Sequence, residues 1–259
     1  MKFDDLDARL RVFETAHDHC ALPGLYLVAR LDGRGFTRLT KEVHPFEAPF
    51  DVRMRDYMVE TTRHLLECGF RMLYGYTQSD EISLLLHPTE DSFGRKLRKY
   101  TSVLAGEASA KFSLLLGDIG VFDCRISQLP RRENVVDYFR WRQEDAARNS
   151  LNAHCYLNAH CYWLLRKQGR TVSEATAQAK GQRTATKHDL LFAHGINYNE
   201  LPAWQKRGLG LYWEEYPKVG LNPHTQESVE TMRRRLALNL ELPLGDAYED
   251  FIRTLLPAA

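Results

Sequence analysis

The feature that most limits the fold is a nearly continuous apolar run, Leu25 to Leu31, which passes straight into Asp32-Gly33-Arg34-Gly35-Phe36. A short run without polar alternation fits a strand buried on both faces, central in a sheet covered by helices. Pro23-Gly24 in front of it ends a helical lead-in over 1–22, where Leu6, Leu10 and Phe13 recur at helical spacing. Behind it, Met54, Tyr57, Met58, Thr61, Leu65 and Cys68 share one helical face. Gly69 to Thr77 alternates and Glu81 to His87 is apolar, with Gln78-Ser79-Asp80 between them, which predicts a hairpin. A long helix is expected from Phe93 to Leu116, striped by Phe93, Leu97, Tyr100, Leu104, Phe112 and Leu115. A strand from Val121 to Leu129 follows, ended by Pro130. The order β-α-β-β-α-β is the ferredoxin-like arrangement, and the expected fold class is α+β with added C-terminal helices.

Downstream, Glu133 to Lys167 reads as helix, with shorter helices over Val172–Ala179 and Thr184–Ala193. Asn197 to Pro223 is punctuated by Pro and Gly, and Ser228 to Leu255 reads as helix, a Pro243–Gly245 break, then helix. A core over 1–132 with a helical extension over 133–259, packed as one unit, is the expected organisation. Within the extension, Leu151-Asn152-Ala153-His154-Cys155-Tyr156 is repeated at once as residues 157–162. Six residues turn a helix by about 600°, so equivalent side chains sit about 120° apart. The two His-Cys pairs therefore do not converge on one ion, since helix ligands stand at i and i+4, and a slipped duplication is the simpler account.

Lys plus Arg number 35 against 34 Asp plus Glu, so a nucleic acid must be gripped by local clusters and not by bulk charge. Hydrophobic residues at 44% suffice for a large core. No run approaches the roughly 18 apolar residues of a membrane span, and the acidic Met1–Leu10 segment lacks a secretory pattern. Five scattered cysteines fit a reduced, cytoplasmic setting. Phosphate-binding G-x-x-x-x-G-K-[ST], dinucleotide G-x-G-x-x-G and G-x-S-x-G elbows are all absent.

In a β-α-β-β-α-β sheet the first and third strands are antiparallel neighbours, so Asp32 and Asp80 fall at one sheet edge. Two carboxylates there suit a pair of Mg²⁺ ions, which activate a hydroxyl and clamp a triphosphate. Gly33 and Gly35 let the backbone approach phosphate oxygens. Against this, Asp-Gly and Ser-Asp are ordinary turn dipeptides. Arg95, Lys96, Arg98 and Lys99 crowd one end of the expected helix, as a phosphate site or a solvated face. Arg131-Arg132 and Arg233-Arg234-Arg235 are further basic patches, either RNA contacts or plain surface.

Arg30-Leu31-Asp32-Gly33-Arg34-Gly35-Phe36, Gln78-Ser79-Asp80-Glu81, Trp141-Arg142-Gln143 and Ile196-Asn197-Tyr198-Asn199 together resemble the tRNA(His) guanylyltransferase family. The resemblance runs from about Leu25 to Asn199. It implies a polymerase-palm catalytic core that adds nucleotides 3′-to-5′ at the 5′ end of tRNA, as a homotetramer. Two Mg²⁺ ions would be held by Asp32, the Gly33 carbonyl and Asp80; Glu81 is read as assisting the metal site, with a plain strand start as the alternative. The triphosphate of ATP, GTP or another nucleotide would lie along Asp32, Gly33, Arg34, Gly35, Phe36 and Thr37, with Ser79, Arg95, Lys96 and Lys99. Where eukaryotic members carry a His-Ile-Asn-Asn stretch, this chain has Ala147-Arg148-Asn149-Ser150, leaving Asn149 for the nucleotide, and near the place of the family's pocket lysine it has Ala48. These departures resemble the bacterial and archaeal guanylyltransferase-like branch, similar to template-directed repair enzymes for 5′-truncated tRNA. The expected reaction is attack of an incoming 3′-hydroxyl on an activated 5′ phosphate, with pyrophosphate released from a triphosphate end. The alternatives are a dedicated tRNA(His) enzyme, a nucleotidyl cyclase, or a non-catalytic RNA-binding module. The last lacks a stacking platform, because the first strand carries only Tyr26 in an aliphatic run.

Overall fold

The computed structural model describes residues 2–157, 171, 184–193, 195–221 and 228–257. β1 (Tyr26–Gly33) runs antiparallel between β3 (Glu81–Leu86) and β4 (Phe122–Leu129). With β2 (Met72–Gln78), β5 (Leu209–Leu221) and β6 (Ser228–Asn239) they form a six-stranded sheet, ordered β4-β1-β3-β2-β5-β6. The helices in chain order are α1 (Phe3–Thr15), α2 (Phe36–Arg38), α3 (Val52–Glu67), α4 (Leu97–Leu116), α5 (Arg132–Leu157), α6 (Thr184–Ala193), α7 (Ala203–Arg207) and α8 (Asp246–Leu255). No helix among the described residues is long and apolar enough to cross a membrane.

The sheet is covered on both faces, which is why β1 lacks polar alternation. On one face Leu27, Leu31, Ile82 and Leu84 pack against Met58 and Leu65 of α3 and Leu104 and Phe112 of α4. On the other, Val28, Leu85 and Tyr74 pack against Val136 and Phe139 of α5 and Ile252 of α8. The expected β-α-β-β-α-β core is thus present as β1, α3, β2, β3, α4 and β4. Asp51 caps α3 by accepting from the amides of Glu47 and Arg53, each at 2.7 Å. The Arg53 guanidinium beside it holds the Asp51 carboxyl down at about 2.

The structure corrects the sequence reading in three places. α4 begins at Leu97, not Phe93, because Phe93, Gly94 and Arg95 adopt φ of 55°, 61° and 58°, outside the helical region. Ser228–Asn239 is a strand, although Met232, Leu236 and its arginines favour helix. Pairing with β5 at every rung from Gly210–Asn239 to Leu221–Ser228 overrides that propensity. Because β5 also pairs with β2, the 133–259 segment extends the core sheet as well as supplying helices. The first hexamer lies in α5, while the second beyond Leu157 and the expected Val172–Ala179 helix fall outside the described residues.

Phe112 is fully buried, its ring centroid 4.9 Å from that of Phe36 and 5.5 Å from that of Phe122. Phe112→Ala is expected to lower unfolding free energy by about 3–5 kcal/mol in urea titration. A loss under about 1 kcal/mol would contradict the packing described.

Candidate active site

Asp32 lies opposite Glu81 across the β1–β3 ladder, and the Gly33 amide donates to the Asp80 carbonyl at 3.1 Å. The two expected acids, Asp32 and Asp80, therefore stand together at one end of the two central strands. Ser79 holds a left-handed turn, φ 54°, and its hydroxyl donates to Asp80 Oδ1 at 3.0 Å. Burial pushes the Asp80 carboxyl above its ordinary value, opposed by the Ser79 hydrogen bond and reinforced by the charges of Asp32 and Glu81.

Beyond Asp32 the chain folds over Phe36, whose buried ring sits 4.9 Å from Phe112 and 5.0 Å from Phe122. A Cβ at Gly33 would stand 2.5 Å from that ring, and Gly35 has φ 72°. Glycine is required at both places, so Asp32 to Thr37 forms a tight, bare turn beside Asp80.

Glu81 stands at the start of β3 and is engaged by arginines. Its carboxylate is held by Arg30, and Arg142 of α5 donates to Glu81 Oε2 at 2.8 Å and to Asp145 Oδ2 at 2.8 Å. Asn149 also donates to Asp145 Oδ2, at 3.3 Å. Arg142 is buried, and its guanidinium lies 4.6 Å from the Trp141 ring centroid. Glu81 is thus neutralised by two guanidiniums, whereas Asp32 and Asp80 have no arginine or lysine in salt-bridge contact among the described residues. The motif residues Trp141-Arg142 gave no sequence signal of this link to Glu81, since the partners are distant in the chain.

The basic cluster is not brought to the acids. β3 runs away from Asp80, so Arg95, Lys96 and Lys99 lie at its far end, where Ala21 and Arg95 are joined before β1. β1 separates the two ends by about 20 Å. Arg95 donates to the carbonyls of Ala21, Leu22, Leu25 and Glu90 at 3.0–3.1 Å. Lys96 and Arg98 share Asp18, holding its carboxyl far below the usual range, and Lys99 lies over Phe93 at 5.6 Å. These cations therefore tie the chain before β1 to the start of α4. Arg132 likewise serves the fold, donating to the Pro257 and Arg253 carbonyls at 2.6 and 2.7 Å.

A cavity of about 520 Å³ opens beside Asp80. Thr37, Ser79 and Asp80 line it on the acid side, and Phe50, Asn152 and Trp204 line it from the loop before α3, from α5 and from α7. Phe50 packs edge-to-face on Trp204 at 6.0 Å and against buried His154 at 5.4 Å, and burial lowers the His154 pKa. Sequence reading missed this wall, because its three pieces come from separate parts of the chain.

The donor set fits Mg²⁺. Among the described residues no group of three or more His, Cys, Asp and Glu side chains is placed to hold a metal. Mg²⁺ is commonly bound by one or two carboxylates together with substrate phosphates, and Asp32 with the charge-penalised Asp80 supplies that pair. A carboxyl whose ionisation is disfavoured by burial, and further by its acidic neighbours, gains when a cation arrives.

A family model described as tRNAHis guanylyltransferase matches residues 7–130, and the model of that family's C-terminal domain matches residues 133–241. A probable tRNA(His) guanylyltransferase of Mus musculus is 30% identical, covering 92% of this chain and 84% of its own. A solved bacterial tRNA(His) guanylyltransferase-like protein in complex with GTP superposes with a TM-score of 0.74 at 28% identity, covering 97% of this chain and 99% of its own. The solved structure of a bacterial tRNA(His) guanylyltransferase-like protein in complex with ATP gives 0.75 at 27% identity and 99% of both chains. An antiparallel β-α-β-β-α-β core with an acid pair over a nucleotide-sized cavity is, with these matches, that of a nucleotidyltransferase. The chain belongs to the tRNA(His) guanylyltransferase family.

The raised Asp80 pKa carries a stability cost. With the folded value above the unfolded one, the penalty is full above the folded pKa and vanishes below the unfolded value of 3.8. Asp80→Asn is therefore expected to raise the melting temperature at pH 7 in metal-free buffer, the gain shrinking as pH approaches 4. A lower melting temperature at pH 7 would contradict the uncompensated charge.

Proposed function

We propose that this chain performs template-dependent 3′-to-5′ nucleotide addition at the 5′ end of tRNA, as a repair activity on 5′-truncated ends. The observation that carries the reading is the pairing of Asp32 with the strand end that bears Asp80, where Asp80 lines a cavity large enough for a nucleotide. Likeness to bacterial relatives solved with GTP and with ATP supports a site open to more than one nucleoside triphosphate. The stretch Ala147-Arg148-Asn149-Ser150 supports the repair branch, since Arg148 and Asn149 are engaged with Asp145.

In this reading Asp32, the Gly33 carbonyl and Asp80 hold two Mg²⁺ ions, which lower the pKa of a 3′-hydroxyl and offset phosphate charge. The bare turn from Asp32 to Thr37 lets the triphosphate lie against the backbone, and Ser79 orients Asp80. Glu81, fixed by Arg30 and Arg142, positions the strand end that carries Asp80. Arg95, Lys96 and Lys99 take no part within this chain's cavity. The nucleotide's 3′-oxygen attacks the 5′ phosphate of tRNA, a new phosphodiester forms, and AMP or pyrophosphate leaves. A homotetrameric, cytoplasmic enzyme is the assembly and setting we assign.

A 5′-extension assay tests the reading, with tRNA lacking its first nucleotide, Mg²⁺, ATP and each single nucleoside triphosphate. Incorporation of only the nucleotide that pairs with the opposing base is expected. Untemplated G on full-length tRNA(His), with no repair of truncated ends, would assign the dedicated enzyme instead. Asp32→Ala is expected to reduce addition by at least about 10³-fold while leaving the melting profile native-like. Near-normal activity in that variant would remove the acid pair from the chemistry.

A further inference from the structure

The wall of the cavity carries a polar group that the acid pair leaves unused. Asn152 lies in the first hexamer on α5, two residues before His154, whose ring packs on Phe50. Lys187 of α6 is buried, and its ammonium donates to Asn152 Oδ1 at 2.7 Å. An ammonium can only donate, so the atom facing Lys187 is the amide oxygen. That fixes which half of the side chain is left over. Asn152 Nδ2 has no hydrogen-bond partner among the described residues, and Asn152 lines the cavity.

Among the other polar groups that line the cavity, Gln78 adjoins Ser79 on the acid side, and Arg55 donates to Asp56 Oδ1 at 2.8 Å. The Thr40 hydroxyl donates to the Phe36 carbonyl and that of Thr77 to the Glu81 carbonyl, each at 2.8 Å. Asp51 accepts from the Glu47 and Arg53 amides. Lys41 and Glu47 are exposed. Thr37 and Ser79 sit on the acid side, where the phosphates belong. Beside Asn152, Phe50 and Trp204 offer ring surfaces for a base.

We infer that Asn152, oriented by Lys187, is a specificity-determining residue that donates through Nδ2 to a carbonyl oxygen on the nucleobase. The inference rests on the nucleotide reading of the cavity. A fixed donor accepts guanine or hypoxanthine, which carry an oxygen at position 6, and meets a second donor in the amino group of adenine. Two donors face to face leave both unpaired. The preference is for 6-oxo over 6-amino purines in binding, before any RNA template is read.

Calorimetric titration of the full chain with GTP, ITP and ATP in Mg²⁺, without RNA, tests this. ITP and ATP differ at position 6, so ITP is expected to bind like GTP and about tenfold more tightly than ATP. Asn152→Ala is expected to bring the three constants within about twofold, and Asn152→Asp, which presents acceptors only, to favour ATP. Lys187→Met frees the amide to rotate and is expected to erase the preference while ATP binding holds. Equal loss of GTP and ATP in Lys187→Met would make that lysine a phosphate ligand and overturn the inference. Equal binding of all three by the unaltered chain overturns the inference alone. Binding of none of them removes the nucleotide reading of the cavity as well.

Discussion

One rung of the sheet sets the site: the pairing of Asp32 with Glu81, continued by the Gly33 amide on the Asp80 carbonyl. A slip of one residue in this register would send Asp32 to the opposite sheet face, because strand side chains alternate. The register is held by Leu31–Ile82 and Ala29–Leu84, whose side chains are buried under α3 and α4. Core packing thus fixes the acid pair from below. Arg30 and Arg142 pair with Glu81, which leaves Asp32 and the cavity-lining Asp80 without a basic partner among the described residues. Burial, with the neighbouring acids, disfavours the charge on Asp80, a cost that a bound cation would offset.

The second half of the chain completes what the first half begins. β5 extends the sheet beyond β2, α5 reaches across to clamp Glu81, and α5 with α7 closes the cavity through Asn152 and Trp204. Arg55 of α3 lies 5.0 Å from the Trp204 ring centroid, a cation–π contact tying this wall back to the core. Neither half alone forms the pocket.

Much of the core and the acid pair was legible in the sequence, for local reasons. Leu25 to Leu31 reads as a central strand because burial on both faces removes polar alternation. Asp32 and Asp80 follow from topology, since strand order alone makes β1 and β3 neighbours. What was illegible depended on contacts far apart in the chain. Ser228–Asn239 carries helix-favouring residues and becomes a strand through its pairing with β5. Arg95 reads as a phosphate ligand, yet its guanidinium is saturated by carbonyls more than 70 residues away as well as by Glu90. Asn152 and Lys187 meet only because α6 returns to α5.

The β5–β6 ribbon joins the sheet through only the rungs from Thr77–Leu209 to Tyr74–Tyr212. Past Tyr212 no third strand among the described residues joins it, and a free two-stranded ribbon is marginal on its own. Arg234 over Trp213 at 5.0 Å and Arg235 over Tyr216 at 5.1 Å brace it across the strands. Mechanically the ribbon is a cantilever whose root is clamped to β2, the strand that leads directly into Ser79 and Asp80. A load on its outer length can enter the sheet only at that root, as torque on the strand beside the acid pair.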